Sequence, residues 1–134
     1  MFDSRFCREI SWRFSPRPSS VGKARRLARS QLVEWGADGQ SGVAELLVSE
    51  LVTNALCHAY GTIRLTLSLQ EGLLRCEVED SDSALPYVYE AGDDEDRGRG
   101  LRLIDLLSCC WGSTRTSTGK VVWFELPVHS HPQS

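Results

Sequence analysis

Glu45-Leu46-Leu47-Val48-Ser49-Glu50-Leu51-Val52-Thr53-Asn54-Ala55-Leu56-Cys57-His58-Ala59-Tyr60 decides how the rest of the chain is read. Val48, Leu51, Val52, Ala55, Leu56 and Ala59 recur at three- and four-residue steps, so the stretch reads as one helix with those side chains on a single arc. Glu50, Asn54 and His58 fall on the opposite side at i, i+4 and i+8, with Thr53 and Cys57 beside them. A helix that buries one face usually turns Lys, Glu and Arg to water on the other. This one contains neither lysine nor arginine. Two readings stand at this point: a solvated polar stripe, or a cation and phosphate site built on a rigid element.

Upstream, Arg8–Phe14 alternates, with Ile10, Trp12 and Phe14 on one side, and predicts a strand. Ser15-Pro16-Arg17-Pro18-Ser19-Ser20 interrupts it and offers serine N-caps to the next element. That element is an amphipathic helix over Val21–Trp35, apolar through Val21, Ala24, Leu27, Ala28, Leu32 and Trp35. Its Lys23, Arg25, Arg26 and Arg29 read as a solvated face, and Gly36 suits its end.

Downstream, the Glu45–Tyr60 helix stops at Gly61. Thr62–Leu69 alternates with Ile63, Leu65, Leu67 and Leu69 on one face, Gln70-Glu71-Gly72 turns the chain, and Leu73–Glu79 returns with Leu74, Cys76 and Val78 inward. That is a β-hairpin. Periodicity disappears from Asp80 to Gly98, a stretch carrying Glu90 and the acidic run Asp93-Asp94-Glu95-Asp96. A structureless connection of that length in a compact domain is usually functional, often a lid. Gly100–Leu107 is helical, and Cys109–Thr114 with Lys120–Leu126 makes a second hairpin. The order β-α-α-β-β-lid-α-β-β predicts an α+β, two-layer sandwich: a mixed, mostly antiparallel sheet with helices packed on one face. Residues 1–128 read as one domain and 129–134 as a disordered tail.

Composition narrows the function classes. The 134 residues carry 41% hydrophobic and 25% charged side chains and a net charge of -3, with a pI near 5.6. Bulk charge therefore argues against a nucleic-acid binder. No apolar run approaches the roughly 20 residues of a membrane span, and Met1–Ser20 lacks the apolar centre of a signal peptide. The expectation is a cytoplasmic protein. Cys7, Cys57, Cys76, Cys109 and Cys110 are odd in number and form no C-x-x-C pair, so they read as reduced, mostly buried packing residues.

Three chemical signals follow in chain order. Glu50 and Asn54 place a carboxylate one turn from an amide, whose oxygen is a hard ligand suited to Mg²⁺. Asp80 ends a strand and opens the lid; its carboxylate is either a turn former or an acceptor for an exocyclic amine. Arg97-Gly98-Arg99-Gly100-Leu101 closes the lid at a helix start, where glycine-freed backbone N–H groups make an anion site and the arginines add positive charge.

With these residues in place, the chain resembles the GHKL (Bergerat-fold) ATPase superfamily, and within it bacterial anti-sigma-factor serine kinases and their small actinobacterial relatives. The likeness also takes in Val21-Gly22-Lys23-Ala24-Arg25, His58-Ala59, Trp111-Gly112 and Gly119-Lys120-Val121-Val122-Trp123-Phe124. It implies that Glu50 is a candidate general base and Asn54 the Mg²⁺ ligand, and that Asp80 recognises the adenine amino group. It further implies that Gly98 and Gly100, flanked by Arg97, Arg99 and Leu101, bind the phosphates of ATP. Relatives of this kind bind ATP and Mg²⁺, sequester a sigma factor and phosphorylate a STAS-domain anti-anti-sigma factor. Pairing with a second copy of the chain is left open. Two positions depart from the superfamily pattern: Asp82 replaces a glycine after Asp80, and Lys120 replaces a threonine after Gly119. An alternative is a catalytically inactive nucleotide-binding module that switches partner binding through its lid. A histidine-kinase catalytic piece fits poorly, because no helix pair with a phospho-acceptor histidine precedes Glu50.

Overall fold

The computed structural model describes residues 7–57, 61–81 and 102–128. The strands β1 (Cys7–Phe14), β2 (Ile63–Gln70), β3 (Leu73–Asp80), β4 (Cys110–Arg115) and β5 (Lys120–Pro127) form one five-stranded sheet in the order β1-β2-β3-β5-β4. Every pairing is antiparallel, so no parallel pair joins the sheet among the described residues. Helix α1 (Ser19–Glu34) packs along α2 (Ser41–Leu56), and α2 lies over β2, β3 and β5. Residues 102–107 form a short helix, α3, tied to β4 where Trp111 Nε1 donates to Asp105 Oδ1 at 2.8 Å.

Strand parity decides what the helices cover. Ile63, Leu65 and Leu67 of β2, Leu74, Cys76 and Val78 of β3, and Val122, Phe124 and Leu126 of β5 are all buried in the core. Removing such a side chain from water stabilises the fold by about 1.5–3 kcal/mol each. The intervening residues face away from the helices and are mostly polar. There the Arg75 guanidinium lies 4.1 Å from the Trp123 ring centre and reaches Glu77 at 2.7 Å and Glu125 at 2.9 Å.

Local signals set the element ends, with some corrections. Helix α1 starts at Ser19, earlier than the apolar periodicity implies, and neither Ser19 nor Ser20 caps it. Pro18 precedes the helix with φ already helical at -56°, and Ser20 Oγ donates back to the Ser15 carbonyl at 2.7 Å. Gly36 ends α1 as expected. Its φ is 70°, its N–H donates to Val33 O at 3.0 Å, and Ala37 N–H donates to Leu32 O at 2.8 Å. Those two bonds are the Schellman pattern.

Helix α2 begins at Ser41, after a single 3-10 turn over Asp38–Gln40, and is followed to Leu56; His58, Ala59 and Tyr60 lie outside the described residues. Glu45 sits inside α2 and receives Arg29 of α1 in a two-bond clasp of 2.8 and 3.1 Å. Arg29 is thus a helix–helix contact and not only part of a solvated face. The β2–β3 turn has Glu71 at φ 53° and Gly72 at φ 80°, the pair of left-handed residues that a two-residue hairpin loop demands. Glu71 bears the strain that a Cβ meets in that region.

The cysteine expectation is also corrected. Cys76 is buried, but Cys57, Cys109 and Cys110 are exposed. The last two lie at or beside the edge strand β4, which has a sheet neighbour on one side only. Burial pushes the Cys76 thiol well above its ordinary pKa, as suits an inert packing residue.

Candidate functional site

β3 ends on Asp80, β5 begins on Lys120, and the register sets the two directly opposite each other. Each stands two places from a buried valine, Val78 or Val122, so both side chains turn to the helix-covered side of the sheet. Asp80 is 3% exposed and Lys120 1% exposed. Lys120 Nζ lies 2.9 Å from Asp80 Oδ2. By distance this is an ion pair, yet the ammonium makes no hydrogen bond among the described residues: the separation is right and the direction is not. The charges compensate each other, which burial requires, while the N–H groups of Lys120 remain unspent.

Backbone packing holds this pair in place. Gly119 lies against β3 so closely that a Cβ there would overlap the Asp80 carbonyl oxygen, and would stand 2.8 Å from the Ser81 Cα. The turn before it is closed by Thr116 N–H to Gly119 O at 2.8 Å and by Gly119 N–H to Thr116 Oγ1 at 2.9 Å. The sequence reading marked Lys120 only as a departure from a pattern. A usable signal was there, because Lys120, Val122, Phe124 and Leu126 alternate, and that places a lysine on the buried row.

On α2, Asn54 is 6% exposed and Glu50 is half-buried, while Thr53 and Cys57 are exposed. The solvated-stripe reading therefore fails for Asn54. The helix is covered by the sheet on one side and by α1 on another, so the arc left to water is narrower than a one-sided pattern implies. Its core-facing residues include Ala44, Leu47, Val48, Leu51, Val52 and Ala55.

The structure joins Asp80 to Lys120 and sets Glu50 and Asn54 on the helix packed over β3 and β5. Arg97, Gly98, Arg99, Gly100 and Leu101 lie outside the described residues, as do Asp82, the acidic run and His58. A groove reaches Asp80 from the other side of the sheet. It is lined by Arg13, Arg64 and Glu79 with the hydroxyl residues Thr62, Ser81 and Thr118. Because Arg64 and Glu79 face away from the helices, this groove opens away from α2 and is not the space beside Asn54. No helix among the described residues is long and apolar enough to cross a membrane.

Residues 14–126 match the family model of the histidine kinase-like ATPase domain. No curated protein matches the chain. Among solved structures it is similar to the RsbU and RsbW domains of Rv1364c from Mycobacterium tuberculosis, with a TM-score of 0.69 and 19% identity over 90% of the chain. It is also similar to the blue-light activated histidine kinase EL346 of Erythrobacter litoralis, with a TM-score of 0.56 and 26% identity over 82% of the chain. A third is the histidine kinase AdeS of Acinetobacter baumannii, with a TM-score of 0.56, 8% identity and 91% of the chain covered. The chain spans 32% of the first structure, 41% of the second and 69% of the third. At 8% and 19% identity the likeness is one of fold.

Proposed function

The chain belongs to the histidine kinase-like ATPase domain family, and from that premise we propose that it is an Mg·ATP-binding regulatory protein of anti-sigma-factor type. The proposed activity is phosphorylation of a serine or threonine on a STAS-domain anti-anti-sigma factor, and the second partner is a sigma factor. The observation that carries the reading is the sheltered oxygen set. Asn54 is buried on α2 with half-buried Glu50 one turn before it, and α2 covers the strands that bear buried Asp80 and Lys120. The similarity to a structure containing an RsbW domain supports a partner-switching role.

The donor chemistry fits the implied ligand. An amide oxygen is a hard donor of the kind Mg²⁺ accepts alongside water and phosphate oxygens, so Asn54 is the residue that would hold the metal. Asp80 would receive the exocyclic amine of adenine, and the Arg97–Leu101 segment would meet the phosphates. Bound Mg·ATP supplies the phosphoryl group and the cation that offsets its charge. The chain's own part is positioning and proton transfer. The Glu50 carboxylate accepts the proton of the partner's hydroxyl, and α2, fixed by its packing on sheet and helix, holds that carboxylate in place.

Thermal unfolding with ATP, in the presence and absence of Mg²⁺, tests this reading. A ligand at 100 times its Kd stabilises the fold by about 2.7 kcal/mol. No shift at millimolar Mg·ATP would remove the nucleotide reading. The engagement of Asp80 by Lys120 favours a second reading, a nucleotide-responsive binding module without catalysis, in which ligand only shifts partner affinity. Labelled phosphate transfer to STAS-domain proteins separates the two.

A further inference from the structure

We infer that Lys120 is a base-reading residue. Its buried ammonium donates to the ring-nitrogen acceptor beside the exocyclic amine that Asp80 receives, so the site reads a donor and an acceptor on the base edge together. The inference rests on Asp80 being the carboxylate of a nucleotide site, as proposed above, and it adds a residue and a rule of selection to that site.

Lys120 is 1% exposed, and lysine is almost never fully buried without a partner. Among the described residues its ion-pair partner is Asp80, 2.9 Å away. That contact balances charge but leaves donors of the ammonium to spare, since Nζ makes no well-directed hydrogen bond among the described residues. An ammonium carries three donors and no acceptor, and a buried donor left unmade is costly. A ligand acceptor next to Asp80 relieves that cost, and a ligand that offers only an amine does not.

The geometry presents the two groups side by side. Asp80 and Lys120 are direct register partners at the ends of their strands. Gly119 is packed against the Asp80 backbone, which leaves the start of β5 little room to shift sideways. The pair therefore displays an acceptor and a donor as neighbours. Adenine offers the complement: its amine donates to Asp80 and ring N1 accepts from Lys120. Guanine also offers it, through N1–H and O6. The site is therefore expected to tolerate both purines, and a test must remove the ring acceptor alone.

Calorimetric titration of the full chain with Mg·ATP and with Mg·1-deaza-ATP does this, because the analogue keeps the amine and replaces N1 by C–H. The expected result is that the wild type prefers ATP by about 10- to 100-fold, the range of a hydrogen bond to a charged group. In Lys120→Met and in Lys120→Thr the preference falls to near unity. Equal affinity of the wild type for both nucleotides overturns the inference and leaves the nucleotide site standing. ATP binding by Lys120→Thr but not by the wild type also overturns it, since Lys120 would then occupy the place of the base. If no form binds either nucleotide, the nucleotide reading fails and this inference fails with it.

Discussion

Gly119 presses so closely on the backbone of Asp80 that no side chain fits between them. One of the two residues that form the buried ion pair is thus positioned by the residue preceding the other. Gly119→Ala forces β5 away from the end of β3 or displaces Asp80 itself. Overpacking of this kind costs about 1–3 kcal/mol. Urea unfolding should report that loss, and Mg·ATP affinity should fall with it if Asp80 is the base-receiving carboxylate proposed above.

The ion pair makes its own demand on stability. Removing one member of a buried pair leaves an uncompensated charge, and the usual cost is about 3–5 kcal/mol. Asp80→Ala is expected to lose that much in chemical denaturation. The joint replacement Asp80→Leu with Lys120→Met leaves no charge behind and should be close to neutral. If Asp80→Ala unfolds at the wild-type denaturant concentration, the pair is not as sealed as its burial indicates.

Glu50 can be separated from binding by experiment. Glu50→Ala should leave the ATP-dependent thermal shift in place while phosphate transfer to the cognate partner drops by about 10²–10⁴-fold, the ordinary weight of a general base. Asn54→Ala should instead weaken the Mg²⁺-dependent part of the shift. A Glu50→Ala protein that transfers phosphate at the wild-type rate would remove Glu50 from the chemistry.

Cys110 gives a pH-dependent readout at the sheet edge. Its thiol donates to Glu125 Oε1 at 3.1 Å, and that hydrogen bond, with burial and neighbouring Cys109 as lesser causes, raises its pKa to about 11. A raised pKa leaves little thiolate at neutral pH, and thiolate is the reactive form. Alkylation of Cys110, followed by peptide mass spectrometry, should be slow at neutral pH and accelerate as pH rises toward 11. Glu125→Gln removes the adjacent negative charge, lowers the thiol pKa and speeds the reaction at neutral pH.

The sheet was legible from sequence wherever one face meets the core and the other meets water, because that contrast prints a period of two. Leu65, Leu67, Leu74, Cys76 and Val78 were placed correctly for this reason. The surroundings of α2 were harder to read. A helix touched by both sheet and helix has no clean polar side, so the periodicity of α2 alone left the surroundings of Asn54 open between water and a sheltered site. The partners in the Arg29–Glu45 and Asp80–Lys120 pairs were not legible for another reason, although alternation does place Lys120 on the buried row. Each pair joins residues distant in sequence through tertiary packing, and charge in a sequence defaults to solvent. Cys109 and Cys110 are exposed because the edge strand β4 lacks cover on one side, and Cys57 because it ends α2.

The two-residue turn at Glu71–Gly72 carries a consequence for how this site can change. It sets β2 against β3 with Gln70 opposite Leu73, and a slip of one residue would invert every side chain beyond it. Leu74, Cys76, Val78 and Asp80 share one parity on β3, as Lys120, Val122, Phe124 and Leu126 do on β5. A one-residue slip of β3 against β2 would turn Leu74 and Asp80 off the helix-covered side in a single event. A shift of that register is therefore closed as a route to new ligands, whereas substitution at positions 80 and 120 keeps the frame intact. Ligand preference in this chain can drift by spelling but not by spacing.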